Sequence, residues 1–129
     1  MSYETMPRLF ARLCALINIP AYSRGEKNEE PLLFLKNLQN FLDQRFKEMP
    51  ENSYTTQLFQ SGINRMAQKV GEEAVETIIE ATNGKEDRLL YEGSDLIYHL
   101  MVLLTSKGYR IEDLASELQE RHKESWRKH

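Results

Sequence analysis

Two segments of about twenty residues, Ile63 to Thr82 and Lys85 to Lys107, carry apolar side chains at helical spacing, and only Asn83-Gly84 stands between them. Asn-Gly is a C-terminal stop for a helix, and so short a connection returns the chain antiparallel to itself. The break therefore predicts a helical hairpin. No alternating β-branched run bounded by turn residues competes with it anywhere in the chain, which makes the expected fold class all-α.

The flanking segments extend the same reading. Pro31 opens a helix that runs to about Met49, with Leu32, Leu35, Leu38, Leu42 and Phe46 at helical spacing, until Pro50, Asn52 and Ser53 break it. Ser53 then caps a short helix that holds Tyr54, Leu58 and Phe59 and is closed by Ser61-Gly62. After Gly108 a last helix covers about Ile111 to Glu124, with Ile111, Leu114, Ala115 and Leu118 apolar. Upstream, a helix over about Pro7 to Ile17 is followed by the polar linker AYSRGEKNEE, which carries Gly25. The domain reading is an N-terminal arm or fusion remnant at 1–30 and one all-α domain at 31–129.

Composition narrows the class. The 129 residues are 40% hydrophobic and 29% charged, enough for one core and unlike a disordered chain. No apolar run approaches the roughly 20 residues of a membrane span, and the first segment, with Glu4, Arg8 and Arg12, lacks the pattern of a secretory signal. Cys14 is the single cysteine, so neither an intramolecular disulfide framework nor a Cys-based zinc cage is available. The expectation is a soluble, cytoplasmic protein. A net charge of −3 argues against nucleic acid as a partner. That charge is unevenly spread, because residues 70–95 hold eight acids and two bases and the remainder of the chain is net basic. A concentrated negative field attracts cations.

With Glu73 at zero on a helical wheel of about 100° per residue, Ile63, Ala67, Val70, Ala74, Ile78 and Ala81 fall within about 60–140°. Lys69, Glu73, Glu76 and Glu80 form a separate stripe beside them. With Glu92 at zero on the next helix, Leu89, Leu90, Leu96, Ile97, Leu100, Met101, Leu103 and Leu104 fill about 20–180°, an arc wide enough to predict deep burial. Asp95 and His99 share a bordering stripe with Glu92. Packing the two apolar arcs on common neighbours puts Glu73, Glu76, Glu92 and Asp95 on one side. Four carboxylates at the edge of an apolar core repel one another and lose hydration. A hard divalent cation resolves that conflict, Mg²⁺ or Mn²⁺ in the absence of Cys ligands. Intramolecular pairing with a cation such as Lys69 resolves it too, and acids at this spacing are also the ordinary mark of a solvated helix face.

GEEAVE (Gly71 to Glu76), followed at short range by YEGSDLIYH (Tyr91 to His99), resembles the ExxE…ExxD signature of the MazG-like all-α nucleotide pyrophosphatases. SYTTQLFQSGINRMAQKVGEEAVE (Ser53 to Glu76), DLIYHLMVLLTSKG (Asp95 to Gly108) and LQERHK (Leu118 to Lys123) are similar to one branch, the phosphoribosyl-ATP pyrophosphatase family. The resemblance covers about residues 31–123. It implies Mg²⁺-dependent hydrolysis of the α–β phosphoanhydride of phosphoribosyl-ATP to phosphoribosyl-AMP and pyrophosphate, the second step of histidine biosynthesis. Matched residue by residue, Glu73 and Glu76 with Glu92 and Asp95 hold the metal, and one of these, or Glu72, accepts the proton of the attacking water. In many organisms this domain follows a phosphoribosyl-AMP cyclohydrolase with a Cys- and His-rich metal motif. Residues 1–30, with Cys14 and no histidine, carry nothing like it.

The remaining candidates each have two readings. Lys69 contacts phosphate or pairs with Glu72 or Glu73. Arg65 and Arg88 are weaker phosphate candidates or surface charges. Tyr54, with Ser53 and Thr55, shapes a nucleotide pocket or is a packed aromatic behind an N-cap. His99 bonds a ligand carboxylate or is a satisfied core histidine. Arg121 contacts the second ribose phosphate or only complements the end of its helix. The resemblance also implies a homodimer, and independently the wide Leu89–Leu104 arc exceeds what one hairpin covers, so facing hairpins are expected to pair across a two-fold axis. Two other functions compete: a housekeeping nucleoside triphosphate pyrophosphatase with the same metal site, and a non-catalytic helical dimerisation module.

Overall fold

The computed structural model describes residues 30–123. The predicted helix at Pro7 to Ile17, Cys14 and the linker as far as residue 29 lie outside the described residues. Five helices follow in order: α1 (Pro31–Glu48), α2 (Tyr54–Gln60), α3 (Ile63–Asn83), α4 (Glu86–Ser106) and α5 (Ile111–Arg121). No strand occurs among the described residues, as the all-α reading requires. None of these helices is long and apolar enough to cross a membrane.

Helix limits follow local signals. Pro31 occupies the first turn of α1, where its missing N–H costs nothing. Ser53 Oγ accepts the Thr56 N–H at 3.2 Å and starts α2. Gly62 and Gly108 have φ of 94° and 84°, the left-handed region that glycine enters without strain, and each turns the chain between helices. Asn83 ends α3, and the two residues after it return the chain into α4.

α3 and α4 pack along their lengths as the predicted hairpin, and α1 lies across α4 with α2 wedged beside it. The core is formed where these meet, from Leu38, Phe41, Leu42, Leu58, Phe59, Met66, Tyr98, Met101 and Val102. Phe46 closes it with an edge-on contact to Phe59, ring centroids 4.8 Å apart. One buried polar group ties three helices together. The Gln39 amide donates to Asp43 Oδ1 and Thr105 Oγ1, both at 2.9 Å, and its oxygen accepts the Ile111 N–H at 2.8 Å. Arg110, paired with Asp43 and with Glu112, fixes the start of α5 on α1.

The apolar faces behave differently from expectation. On α3 only Met66, Lys69 and Glu73 are buried. The arc expected to face the core is open: Ile63 is 43% exposed and Ile78 60%, with Val75 and Ile79 beside them at 54% and 43%. On α4 the buried face is Glu92, Asp95, Tyr98, His99, Met101, Val102 and Thr105. Of the eight residues in its predicted deep arc, Met101 alone is buried, while Leu90 is 75% exposed and Ile97 38%. Leu32 at the start of α1 and Leu118 on α5 also face outward. The cause is the rotation of α3 and α4 about their own axes: each turns its acidic stripe, not its apolar arc, toward the interior of this chain.

Candidate metal centre

Lys69 and Glu73 come from the inward face of α3, one turn apart, and Glu92, Asp95 and His99 from the inward face of α4. One carboxylate oxygen from each of Glu73, Glu92 and Asp95 lies within 4.8 Å of the others, and all three residues are buried. A second triad shares one member. Glu76, Glu80 and Glu92 also bring an oxygen each within 4.8 Å, with Glu76 and Glu80 half-buried. The four acids of the ExxE and ExxD therefore gather around Glu92, but as parts of two overlapping triads rather than one compact set.

Cations supply only part of the compensation. Lys69 Nζ, itself buried, stands 3.5 Å from Glu73 Oε1 and 3.2 Å from Glu72 Oε1. Arg88 reaches Glu92 Oε2 at 3.3 Å, with its guanidinium 4.0 Å above the Tyr91 ring. Glu73 Oε2, Glu92 Oε1 and Asp95 Oδ2 are enclosed and have no hydrogen-bond partner. Orphaned anionic oxygens in a dry site cost several kcal/mol each unless a proton or metal ion takes them up. Three oxygens of this kind, converging from two helices, fit a hard divalent cation.

The titration of the site has the same origin. Burial first, and then the charge of Glu73, pushes the Glu92 carboxyl from its ordinary 4.5 up to about 7. Burial and Glu73 likewise raise Asp95 from 3.8 to about 7. Both acids hold their protons more tightly folded than unfolded, so between about pH 4 and 7 the native state binds more protons than the unfolded chain. Stability of the metal-free protein therefore falls as pH rises through that window. Thermal melts of chelator-treated protein are expected to lose ~5–10 °C between pH 5 and 8, with Mg²⁺ or Mn²⁺ removing most of that slope. A flat or rising profile without metal would show these carboxyls to be already compensated.

The other predicted residues fall at different distances from this centre. Glu72 is exposed, and its carboxylate is held low by the Gln68 amide and then by Lys69, which leaves it outside the buried triads. Arg65 pairs with Glu72 at 3.7 Å on the helix surface. Tyr54 reaches the site from α2, its hydroxyl 3.0 Å from His99 Nε2. His99 Nδ1 lies 2.8 Å from the Asp95 backbone oxygen, so that nitrogen donates and Nε2 accepts from Tyr54. Burial lowers the His99 pKa to about 4 and keeps the ring neutral. His99 is thus a satisfied core histidine that bonds the backbone of Asp95 and not a carboxylate. Arg121 pairs with Glu117 at 3.2 Å near the exposed end of α5, a helix packed mainly on α1. Glu80 was on the predicted acidic stripe but outside the ExxE and ExxD positions. Its spacing of one turn from Glu76 was the available signal.

An all-α bundle that buries uncompensated carboxylates between two antiparallel helices is the architecture expected of a helical nucleotide pyrophosphatase. Comparison with known proteins bears this out: the profile described as "Phosphoribosyl-ATP pyrophosphohydrolase" matches residues 35–122, and the chain belongs to that family. It is similar to the histidine biosynthesis bifunctional protein HisIE of Bacteroides thetaiotaomicron, 74% identical over 105 residues that make up 81% of this chain and 52% of that protein. It is 44% identical over 100 residues to the protein of the same name from Photobacterium profundum, covering 78% of this chain and 48% of that one. It is 47% identical over 89 residues to the phosphoribosyl-ATP pyrophosphatase of Leptospira biflexa, covering 69% of this chain and 97% of that protein. The chain thus spans about half the length of the two HisIE proteins and nearly all of the Leptospira one.

Proposed function

We propose that this chain hydrolyses phosphoribosyl-ATP at its α–β phosphoanhydride, releasing pyrophosphate and phosphoribosyl-AMP in histidine biosynthesis, with Mg²⁺ bound by Glu73, Glu92 and Asp95 and with Glu76 at its edge. The carrying observation is the set of three enclosed, unpartnered carboxylate oxygens in a member of this family. The name of the Leptospira relative supports the substrate. A nucleotide substrate also fits the expected cytoplasmic setting.

Chemistry and residues agree. A bare acidic cluster repels a polyanion, and a bound divalent cation inverts the local sign, neutralises phosphate charge and lowers the pKa of a bound water. The chain's own groups position rather than react. Lys69 fixes Glu73, Arg88 fixes one oxygen of Glu92, and the neutral His99 fixes the Asp95 backbone. A water's proton passes to one of the clustered carboxylates or to Glu72 at their exposed edge. No Gly-rich phosphate loop is present in the sequence, so phosphate binding falls to the cation and to basic side chains. Arg65, at the exposed edge of the cluster, and Arg121 are the candidates for those contacts. The open apolar faces of α3 and α4 support assembly as a homodimer.

Pyrophosphate release measured with phosphoribosyl-ATP, ATP and dATP, with and without Mg²⁺, tests the reading. Phosphoribosyl-ATP carries a second ribose phosphate on N1 of its adenine, and a site built to meet it rejects substrates lacking it. A kcat/KM advantage of ~10²-fold or more over ATP is expected, and only with the metal. Comparable values for all three substrates would assign the chain to housekeeping nucleotide hydrolysis. No release from any of them would leave a helical assembly module.

A further inference from the structure

The short helix α2 holds the hairpin through its first two residues. The Tyr54 hydroxyl stands 3.0 Å from His99 Nε2, and the Thr55 hydroxyl shares a hydrogen bond with that of Tyr98. Two adjacent side chains of α2 thus hold two adjacent side chains of α4, one turn beyond Asp95. Thr55, Tyr98 and His99 are all buried, and the His99 ring is edge-on to both Tyr98 and Tyr54, with centroids 5.3 and 6.2 Å away.

One tautomer satisfies both nitrogens of that ring. His99 Nδ1 faces the Asp95 backbone oxygen at 2.8 Å, and a carbonyl only accepts, so Nδ1 carries the proton. Nε2 of the neutral ring is then an acceptor, and the Tyr54 hydroxyl is the donor that meets it. Without that hydroxyl a buried lone pair loses its donor, and the proton can move to Nε2 and leave the Asp95 carbonyl without the ring. The backbone held in this way belongs to the residue whose Oδ2 is enclosed and unpartnered in the acidic cluster.

We propose that Tyr54 is a positioning residue for the acidic cluster: by donating to His99 Nε2 it fixes the tautomer that holds the Asp95 backbone, and so sets the direction from which the Asp95 carboxylate enters the site. The proposal rests on the metal reading of Glu73, Glu92 and Asp95 and adds to it a residue from outside the hairpin. It gives the Tyr54 hydroxyl a task that neither a nucleotide pocket nor aromatic packing requires. Groups that orient a metal ligand typically change metal affinity by ~10–100-fold when they are removed.

Tyr54→Phe removes the hydroxyl and keeps the ring. Nitrogen chemical shifts of metal-free, ¹⁵N-histidine-labelled protein report the His99 tautomer, equilibrium dialysis with Mn²⁺ reports the site, and pyrophosphate release from phosphoribosyl-ATP separates kcat from KM. Wild type is expected to hold His99 with Nδ1 protonated. Tyr54→Phe is expected to populate the Nε2-protonated ring, to bind Mn²⁺ ~10–100-fold more weakly, and to lose kcat at an unchanged KM. Thr55→Val, which breaks the neighbouring bond between the same two helices, is expected to melt lower yet keep the tautomer and Mn²⁺ affinity of wild type. His99→Phe is expected to weaken Mn²⁺ binding as Tyr54→Phe does, and the double variant little further, because Tyr54 acts through that ring. Wild-type tautomer or wild-type Mn²⁺ affinity in Tyr54→Phe overturns the proposal, and so does wild-type affinity in His99→Phe, however well Tyr54→Phe folds. An equal loss of affinity in Thr55→Val would overturn it as a general loosening of α2, and a raised KM with kcat unchanged would place the hydroxyl on the nucleotide instead. Those failures leave the metal reading standing, whereas no bound Mn²⁺ in wild type overturns that reading and the proposal with it.

Discussion

Asp95→Asn is expected to lower Mg²⁺-dependent pyrophosphate release by at least ~10³-fold while raising the melting temperature of the metal-free protein. The two effects have one cause. Asp95 is 3% exposed, and its Oδ2 is enclosed without a partner near the oxygens of Glu73 and Glu92. On the proposed reading that oxygen would be a ligand of the metal, and losing it would remove several kcal/mol of charge stabilisation from the reaction. Without metal, the same charge is desolvated and repelled. Asparagine keeps the shape, removes the charge, and offers an amide N–H₂ to the carboxylates beside it. The gain is on the order of 1–2 kcal/mol, or ~4–8 °C for a domain of this size. Part of the fall in stability between pH 5 and 8 should disappear with it. Calorimetry of the chelated proteins and pyrophosphate release from the same preparations decide the matter. Near-wild-type turnover would remove Asp95 from the site, whereas a lower melting temperature would show its carboxylate to be structural.

The ends of the elements were legible because each is written locally. Pro31, Ser53, Gly62, the Asn83-Gly84 pair and Gly108 act within a few residues of themselves, and the helix limits from Pro31 to Ser106 fall beside them, whereas α5 ends at Arg121, short of the expected Glu124, with no such residue to mark it. Which face of a helix is buried is not a local property. Periodicity correctly grouped Ile63 with Ile78 and Leu90 with Ile97, and correctly separated them from the acids. It could not say which neighbour would cover each group, and within this chain the acids of α3 and α4 meet while those apolar groups remain open. The site shows the same division. Matching stripes predicted that acids of the two helices would converge, but their sorting into triads around Glu92 depends on rotation and offset of packed helices. The Tyr54–His99 contact joins residues 45 apart, and Gln39 meets Thr105 and Ile111 across still longer separations. No spacing rule carries such pairs. Glu80 shares the acidic stripe, but the ExxE and ExxD spacing assigns it no role, and its approach to Glu92 depends on how the two helices pack.

Leu90→Glu and Ile78→Glu are each expected to convert a dimer into monomers at micromolar concentration. Leu90 is 75% exposed and Ile78 60% exposed in the single chain, so a glutamate at either position touches little within it and should change monomer stability by no more than ~0.5 kcal/mol. Together with Val75, Ile79 and Ile97 they leave apolar surface open on both helices of the hairpin. Exposed apolar patches larger than a few hundred Å² are rare on monomeric domains. A second copy of the same hairpin offers the complementary surface, because a two-fold axis sets each apolar face against its equal. The faces lie on the helices that carry the acids, on a stripe of their own beside them. A charge placed in that interface is buried without a partner and costs several kcal/mol for each of two copies. Light scattering should therefore report twice the chain mass for wild type and once for the variants. The variants should also melt lower, since the hairpin loses the cover of its apolar face. Wild-type protein that scatters as a monomer and is fully active would show that these faces serve no assembly.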